Sequence, residues 1–163
     1  MAKSAELAFK EASDSKSLLG GKYIEATRGD STCADSAAGT TAAQGLIDGG
    51  VVAIMGADCS GVTTAIADNA AIPNGVVMIS PSATSPALTS INDNGYFFRT
   101  APSDARGGEI LANITKDRRV KSVAITYTNS DYGKGLADVY VSFVKSLGIK
   151  VTAVTAHEEG KAD

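Results

Sequence analysis

The sequence has no tryptophan, one histidine and only two cysteines in 163 residues. Two cysteines exclude a disulfide-dense miniprotein, and one imidazole leaves no histidine cluster for a metal or a proton relay. Positive charge is also scarce, with 15 Lys and Arg against 18 Asp and Glu, a formal charge of −3. That balance excludes the basic footprint of a nucleic-acid-binding protein. No apolar run approaches the roughly 18 residues of a membrane-spanning helix. Residues 1–16 are charged and amphipathic and lack the apolar stretch of a signal peptide, which fits a cytosolic protein or one written without its leader. Aromatics make up 6%, whereas glycine is frequent at 17 residues. Hydrophobic residues are 44% and charged residues 20%, the composition of a folded globular chain. The length suits one ordinary domain or two small lobes, with about 70% of the unfolded surface buried on folding.

Hydrophobic periodicity divides the chain into alternating helices and strands. Residues 2–13 read as a helix with an apolar stripe of Ala5, Phe9 and Ala12, stopped by Gly20 and Gly21. Residues 22–27 (KYIEAT) alternate like a short strand, 31–35 form a polar turn, and 37–47 a second helix closed by Gly49 and Gly50. Residues 51–55 are continuously apolar, as in a strand buried on both faces. The pattern repeats with a helix at 63–71, a turn at 73–75, a strand at 76–79, a Ser/Thr/Pro loop to 90 and a strand at 96–100. A helix at 104–116, capped by Ser103 or Asp104, then precedes a strand at 120–127, a helix at 132–147 and a strand at 149–155. This order predicts a doubly wound α/β sheet with mostly parallel strands. The chain opens on a helix with no strand before it and stops just after a strand, so both ends read as cuts. A missing leading strand leaves a gap in the middle of such a sheet.

Ligands of open α/β sheets bind at the carboxyl ends of the strands. The loops there, residues 56–64 after one buried strand and 80–86 after the next, are small, hydroxyl-rich and placed at helix starts. Backbone N–H groups, with the hydroxyls of Ser60 and Thr84, suit a carboxylate, and carbonyls of the second loop suit an ammonium group. The ordinary alternative for each loop is capping and turn chemistry. Asp58 counts against an anion site unless it points away. Catalytic patterns are lacking. His157 stands alone in a polar run, and its HEEG stretch has no second histidine for a zinc helix. The GGKY at 20–23 is no phosphate loop, and Asp138 stands where the dinucleotide fingerprint beginning at Gly133 needs a third glycine. RGD at 28–30 is a chance tripeptide at a strand end, and Asp30 and Asp58 lack the partners of a phospho-receiver. Cys33 and Cys59 both follow strands and fall at one edge of the sheet, so a disulfide and two free thiols both fit their placement.

Four ordered motifs go further: GADCSGVT from Gly56, MISPSATSPALT from Met78, FRTAPSD from Phe98 and DYGKGLA from Asp131. Together they resemble the branched-chain amino acid-binding proteins, the periplasmic substrate-binding proteins of amino acid ABC transporters, along essentially the whole chain. The resemblance implies two α/β lobes of the type I periplasmic-binding fold that close on an amino acid. It implies that Ser60 grips the ligand carboxylate, that Ser82, Ala83 and Thr84 hold carboxylate and ammonium, and that Tyr132 covers the ligand. It also favours a Cys33–Cys59 bridge. The crossing between lobes is expected near residues 100–103, giving a first lobe over 1–102, without its first strand, and the start of a second over 103–163.

The expected function is therefore a solute-binding protein without enzymatic activity, cofactor or metal, delivering a branched-chain or related amino acid to a membrane permease. A ligand-sensing domain of a receptor or an amide-responsive regulator is the alternative on the same fold. Relative to the family, the sequence lacks the leading strand with its ligand-contacting loop, the acidic residue that usually pairs with the ammonium, and most of the second lobe. It reads as a fragment carrying part of the site, and a second chain or swapped segment is expected to complete the sheet.

Overall fold

The computed structural model describes residues 2–158 and 160. Helix α1, Ala2–Ser15, half-buries the expected stripe of Ala5, Phe9 and Ala12. It is fastened to the chain that follows it. The Glu6 carboxylate accepts a forked pair of bonds from the Arg28 guanidinium at 2.5 and 2.6 Å, which hold the Glu6 carboxyl below its ordinary range. The Ser13 hydroxyl accepts from the Ile24 N–H at 2.9 Å. The strand expected at 22–27 does not form. A strand exists only through the ladder it shares with a neighbour, and here the Ile24 N–H goes to a side chain while the segment runs extended outside both sheets.

Helix α2, Ser36–Asp48, is capped by the Asp35 carboxylate, which accepts from the Ala38 N–H at 2.9 Å, and is closed by Gly49 and a left-handed Gly50. Strand β1 is Ala53–Met55, β2 is Val77–Ser80 and β3 is Phe97–Arg99, parallel and in that spatial order. Helix α3, Ser60–Ile66, begins three residues before the expected start and runs into a wider π turn, Ala67–Ala71. Register puts Ile54 beside Met78 and Met78 beside Phe97, all buried against α2 and α3. The opposite row, Met55, Ile79 and Phe98, is 47%, 37% and 52% exposed. Residues 51–55 are therefore not buried on both faces: the described helices cover one face, and Val52 lies before the strand in solvent. Among the described residues the outer edge of β1 has no partner strand.

Small residues allow the helices close approach. Ala67, Ala70 and Ala71 are fully buried together with Val62 and Ile66. A Cβ on Gly39 of α2 would sit 2.6 Å from Val62 Cγ1 and 2.7 Å from the Ser31 carbonyl.

The remaining elements build a second parallel pair. Helix α4, Asp104–Asp117, is capped by Ser103, and α5, Asp131–Ser146, by Ser130. Strands β4, Ser122–Thr128, and β5, Lys150–His157, pair in parallel. Their core is Ala112, Val144 and Ile149, ringed by Val123, Tyr140 and Phe143. Every pairing in the two sheets is parallel with an intervening helix or loop crossover, so the α/β expectation holds. No described helix is long and apolar enough to cross a membrane.

Helix α2 supplies a paired test, because Gly39 is crowded while an added Cβ at Gly45 meets nothing within 4 Å. Gly39→Ala is expected to lower stability by about 1–3 kcal/mol through overpacking. Gly45→Ala in the same helix is expected to raise it by about 0.5–1 kcal/mol. Urea unfolding of the two variants reads both signs.

Candidate ligand-binding cleft

The loops after β1, β2 and β4 all leave the carboxyl ends of parallel strands, and they converge on one cavity of about 860 Å³. On one wall, the loop after β1 delivers Asp58, Cys59 and Ser60, and the loop after β2 delivers Ser82 and Thr84. On the other wall stand Asp104 at the start of α4, Asn129, Ser130, Asp131 and Tyr132 around the start of α5, and Glu158 after β5. The walls approach closely because glycines face each other's side chains. A Cβ on Gly61 would lie 3.2 Å from Asp131 Oδ2, and one on Gly135 would lie 3.1 Å from both Ser85 Oγ and Pro86 Cδ.

Hydrogen bonds fix the first wall. Ser80 Oγ, buried at the end of β2, donates to the Ala57 carbonyl at 2.7 Å and accepts from the Ala83 N–H at 3.0 Å. The Arg99 guanidinium on β3 donates to the Ser85 carbonyl at 2.8 Å and clamps the second loop from behind. Ser60 is 2% exposed, and its hydroxyl oxygen accepts from the Ser85 N–H at 3.2 Å. Among the described residues no acceptor takes the Ser60 hydroxyl hydrogen.

The other expected site residues separate in their surroundings. The Ser82 hydroxyl donates to the Asp58 carbonyl at 2.8 Å and also contacts the Asp58 carboxylate, so its side chain is committed to the loop. Asp58 stays on the cavity wall, tied to a neutral donor. Ala83 is buried behind the wall, with its N–H on Ser80 and its carbonyl 3.5 Å from Arg99. The Thr84 hydroxyl donates to Asp104 Oδ2 at 2.7 Å, and its carbonyl accepts from the Asp104 N–H at 3.0 Å. Tyr132 is 47% exposed on the first turn of α5 and lines the cavity. His157 lies outside this cavity, exposed, its Nδ1 2.7 Å from Thr126 Oγ1.

Four polar lining residues were not among the expected site residues: Asp104 and Asp131, which lie in the motifs without an assigned role, and Asn129 and Glu158, which lie outside them. Asp104 closes the FRTAPSD motif, but its local pattern reads as a helix cap. The strand-end rule finds Asn129 and Asp131 once it is applied to β4 as well as to β1 and β2. Glu158 is positioned by a bond from Asn129 Nδ2 at 2.9 Å, a contact between segments that no local pattern encodes. Among the described residues the cavity is lined by four carboxylates, Asp58, Asp104, Asp131 and Glu158, and by no lysine or arginine.

Cys33 and Cys59 form a disulfide with Cα atoms 5.5 Å apart, joining the loop before α2 to the residue before Ser60. Their sulfurs lie near the Asp58 carboxylate in a cluster with metal-ligand spacing, but a disulfide offers no thiolate to a metal.

Two parallel α/β sheets meeting across a cleft at their strand ends define the class of type I periplasmic-binding proteins. The chain belongs to the family described as receptor family ligand binding region, whose model matches residues 1–163. It is 31% identical over 160 residues to the Leu/Ile/Val-binding protein BraC3 of Rhizobium johnstonii, covering 98% of this chain and 42% of that protein. It is 30% identical over 148 residues to the leucine-, isoleucine-, valine-, threonine- and alanine-binding protein of Pseudomonas aeruginosa, covering 89% of this chain and 38% of that one. Among solved structures, an ABC transporter substrate-binding protein of Desulfitobacterium hafniense in complex with Leu superposes with a TM-score of 0.75 at 29% identity, over 98% of this chain and 47% of that one. A leucine-binding protein of Thermotoga maritima superposes at 0.82 with 26% identity, over 95% and 44%. The chain therefore spans less than half the length of the relatives it matches.

The bridge closes a 26-residue separation. Chain-entropy arithmetic gives it about 3.5 kcal/mol of stabilisation. Replacing both cysteines by alanine is expected to lower the unfolding free energy by about that amount, read as a fall in the urea midpoint with a somewhat steeper slope as the unfolded chain expands.

Proposed function

We propose that the chain is the ligand-gripping part of a solute-binding protein that captures a branched-chain or related amino acid between two lobes and delivers it to an ABC permease. The observation that carries this reading is the division of labour across the cleft. A buried hydroxyl, Ser60, stands on one wall, and carboxylates stand around it with no lysine or arginine among the described lining residues. A zwitterion needs both kinds of partner, and nothing in the arrangement activates a nucleophile, so the action is binding without bond cleavage.

In this reading Ser60 donates to the ligand carboxylate. Thr84 and Asp104, already joined, accept the ammonium group, and the Ser82 backbone carbonyl adds a further acceptor. Ala83 acts from behind the wall, holding the loop through Ser80. Tyr132 covers the ligand from the α5 side. The lobes divide near residue 102, with 1–102 in the first and 103–163 in the second. The open edge of β1 takes a strand from outside these residues or from a second copy. The disulfide supports a periplasmic location, since such bridges persist in oxidising compartments. It also weighs against a cytosolic regulator, while a receptor's sensing domain fits the family description equally well.

Calorimetric titration of the full chain with leucine, isoleucine and valine tests the assignment. Saturable binding is expected, with Ser60→Ala weakening it at least tenfold, since a hydrogen bond to a charged group contributes about 1.5–3 kcal/mol. Absence of binding with every aliphatic amino acid overturns the reading.

A further inference from the structure

We infer that the Cys33–Cys59 disulfide sets the affinity of the cleft by holding Ser60 in place, so that ligand retention depends on the thiol–disulfide state of this pair. The inference rests on the ligand reading above. Both cysteines line the cavity, and Cys59 immediately precedes Ser60. Cys59 occupies the N-cap position of α3, yet its side chain makes no capping hydrogen bond. The covalent link to Cys33 stands where a serine or aspartate cap would otherwise hold the helix start.

The anchor at the other end is stiff. The Thr32 N–H is bound by Asp30 Oδ1 at 2.9 Å, Asp35 caps α2, and the Ser31 carbonyl packs where a Cβ on Gly39 would stand. Residues 58–60 have two further fastenings to the loop after β2, Asp58 to Ser82 and Ser60 to Ser85. Both are hydrogen bonds, and both pull toward that one loop. The disulfide is the covalent tie, and it pulls toward α2 instead. Cutting it leaves the segment tied toward α2 only by the packing of Val62 on Gly39, with the Ser60 hydroxyl on its single bond of 3.2 Å to the Ser85 N–H.

Cys33 is exposed, so a dithiol reductant reaches it. One thiolate of the reductant attacks Cys33 Sγ, forming a mixed disulfide and expelling the Cys59 thiolate. The second thiol of the reductant then displaces Cys33. The products are a cyclic disulfide of the reductant and two protein thiols, with two electrons and two protons transferred from reductant to protein.

The test compares leucine affinity of the oxidised full chain, the dithiothreitol-reduced chain and the Cys33→Ser/Cys59→Ser variant, each verified as folded by circular dichroism. A Val144→Ala variant, altered in the separate core under β4 and β5, controls for general loss of stability. Reduction and the double serine variant are expected to weaken leucine binding about tenfold, with Val144→Ala within twofold of the parent. Amide hydrogen exchange is expected to quicken at residues 60–64 on reduction while β4 and β5 keep their protection. Equal affinity in the oxidised and reduced chains overturns the coupling and leaves the ligand assignment standing. An equal loss in Val144→Ala also overturns it. An oxidised chain that binds no aliphatic amino acid overturns both readings together.

Discussion

The hydroxyl of Ser80 is the small interaction on which the cleft depends. It lies fully buried where β2 ends, donating to the Ala57 carbonyl and accepting from the Ala83 N–H. Those two groups belong to the two loops that build one wall of the cleft, so a single side chain sets their separation. A buried hydroxyl that satisfies one donor and one acceptor is worth more than its own bonds, because losing it orphans both partners. Ser80 itself is positioned by the parallel register, which places it beside Arg99 while the Arg99 guanidinium reaches over to the Ser85 carbonyl. Sheet register is thereby carried into loop geometry, and loop geometry into the placement of the Ser60 and Thr84 hydroxyls.

Alternation of periods two and 3.6 made the class of fold legible, and it placed most helix and strand centres because those signals are local. What failed was not local. Residues 22–27 have the pattern of a strand but take their hydrogen bond from Ser13, because strand identity belongs to a pair of segments. Residues 51–55 are apolar enough for a strand covered on both sides, yet apolarity records what a face tolerates and not what covers it. The site divides the same way. Ser60 and Thr84 follow from loops at strand ends, whereas the commitment of the Ser82 hydroxyl to Asp58 and the retreat of Ala83 behind the wall are tertiary facts. Asp104 and Asp131 lie in the motifs, but that they share an acidic wall with Glu158 is also tertiary, since the starts of α4 and α5 and the end of β5 are brought together only by the fold.

Glycine content has an equally specific meaning. The high count is spent partly on turns, but Gly61 and Gly135 stand where the two walls touch, facing Asp131 and Ser85. A Cβ at either position would stand only 3.1–3.2 Å from the opposite wall, so the facing atoms would have to give way. The walls thus meet as backbone against side chain, and a small residue at each meeting point is the steric condition of that contact.

The charge on that cleft gives the proposed ligand a physical part in holding the walls together. Asp58, Asp104, Asp131 and Glu158 all line the cavity; the hydrogen bonds that hold Asp58, Asp104 and Glu158 there come from the neutral groups of Ser82, Thr84 and Asn129. In an open, hydrated cleft their mutual repulsion is screened by water and salt. Closing the walls removes that water and strengthens every pairwise term among like charges. An empty closed cleft therefore carries an electrostatic penalty that an ammonium group inside it cancels. A ligand shifts a conformational equilibrium only by its differential interaction with the two states, and here the differential comes from the carboxylates. On the proposed reading, Ser60 would recognise the other end of a zwitterion, and the acidic wall would couple its occupancy to closure.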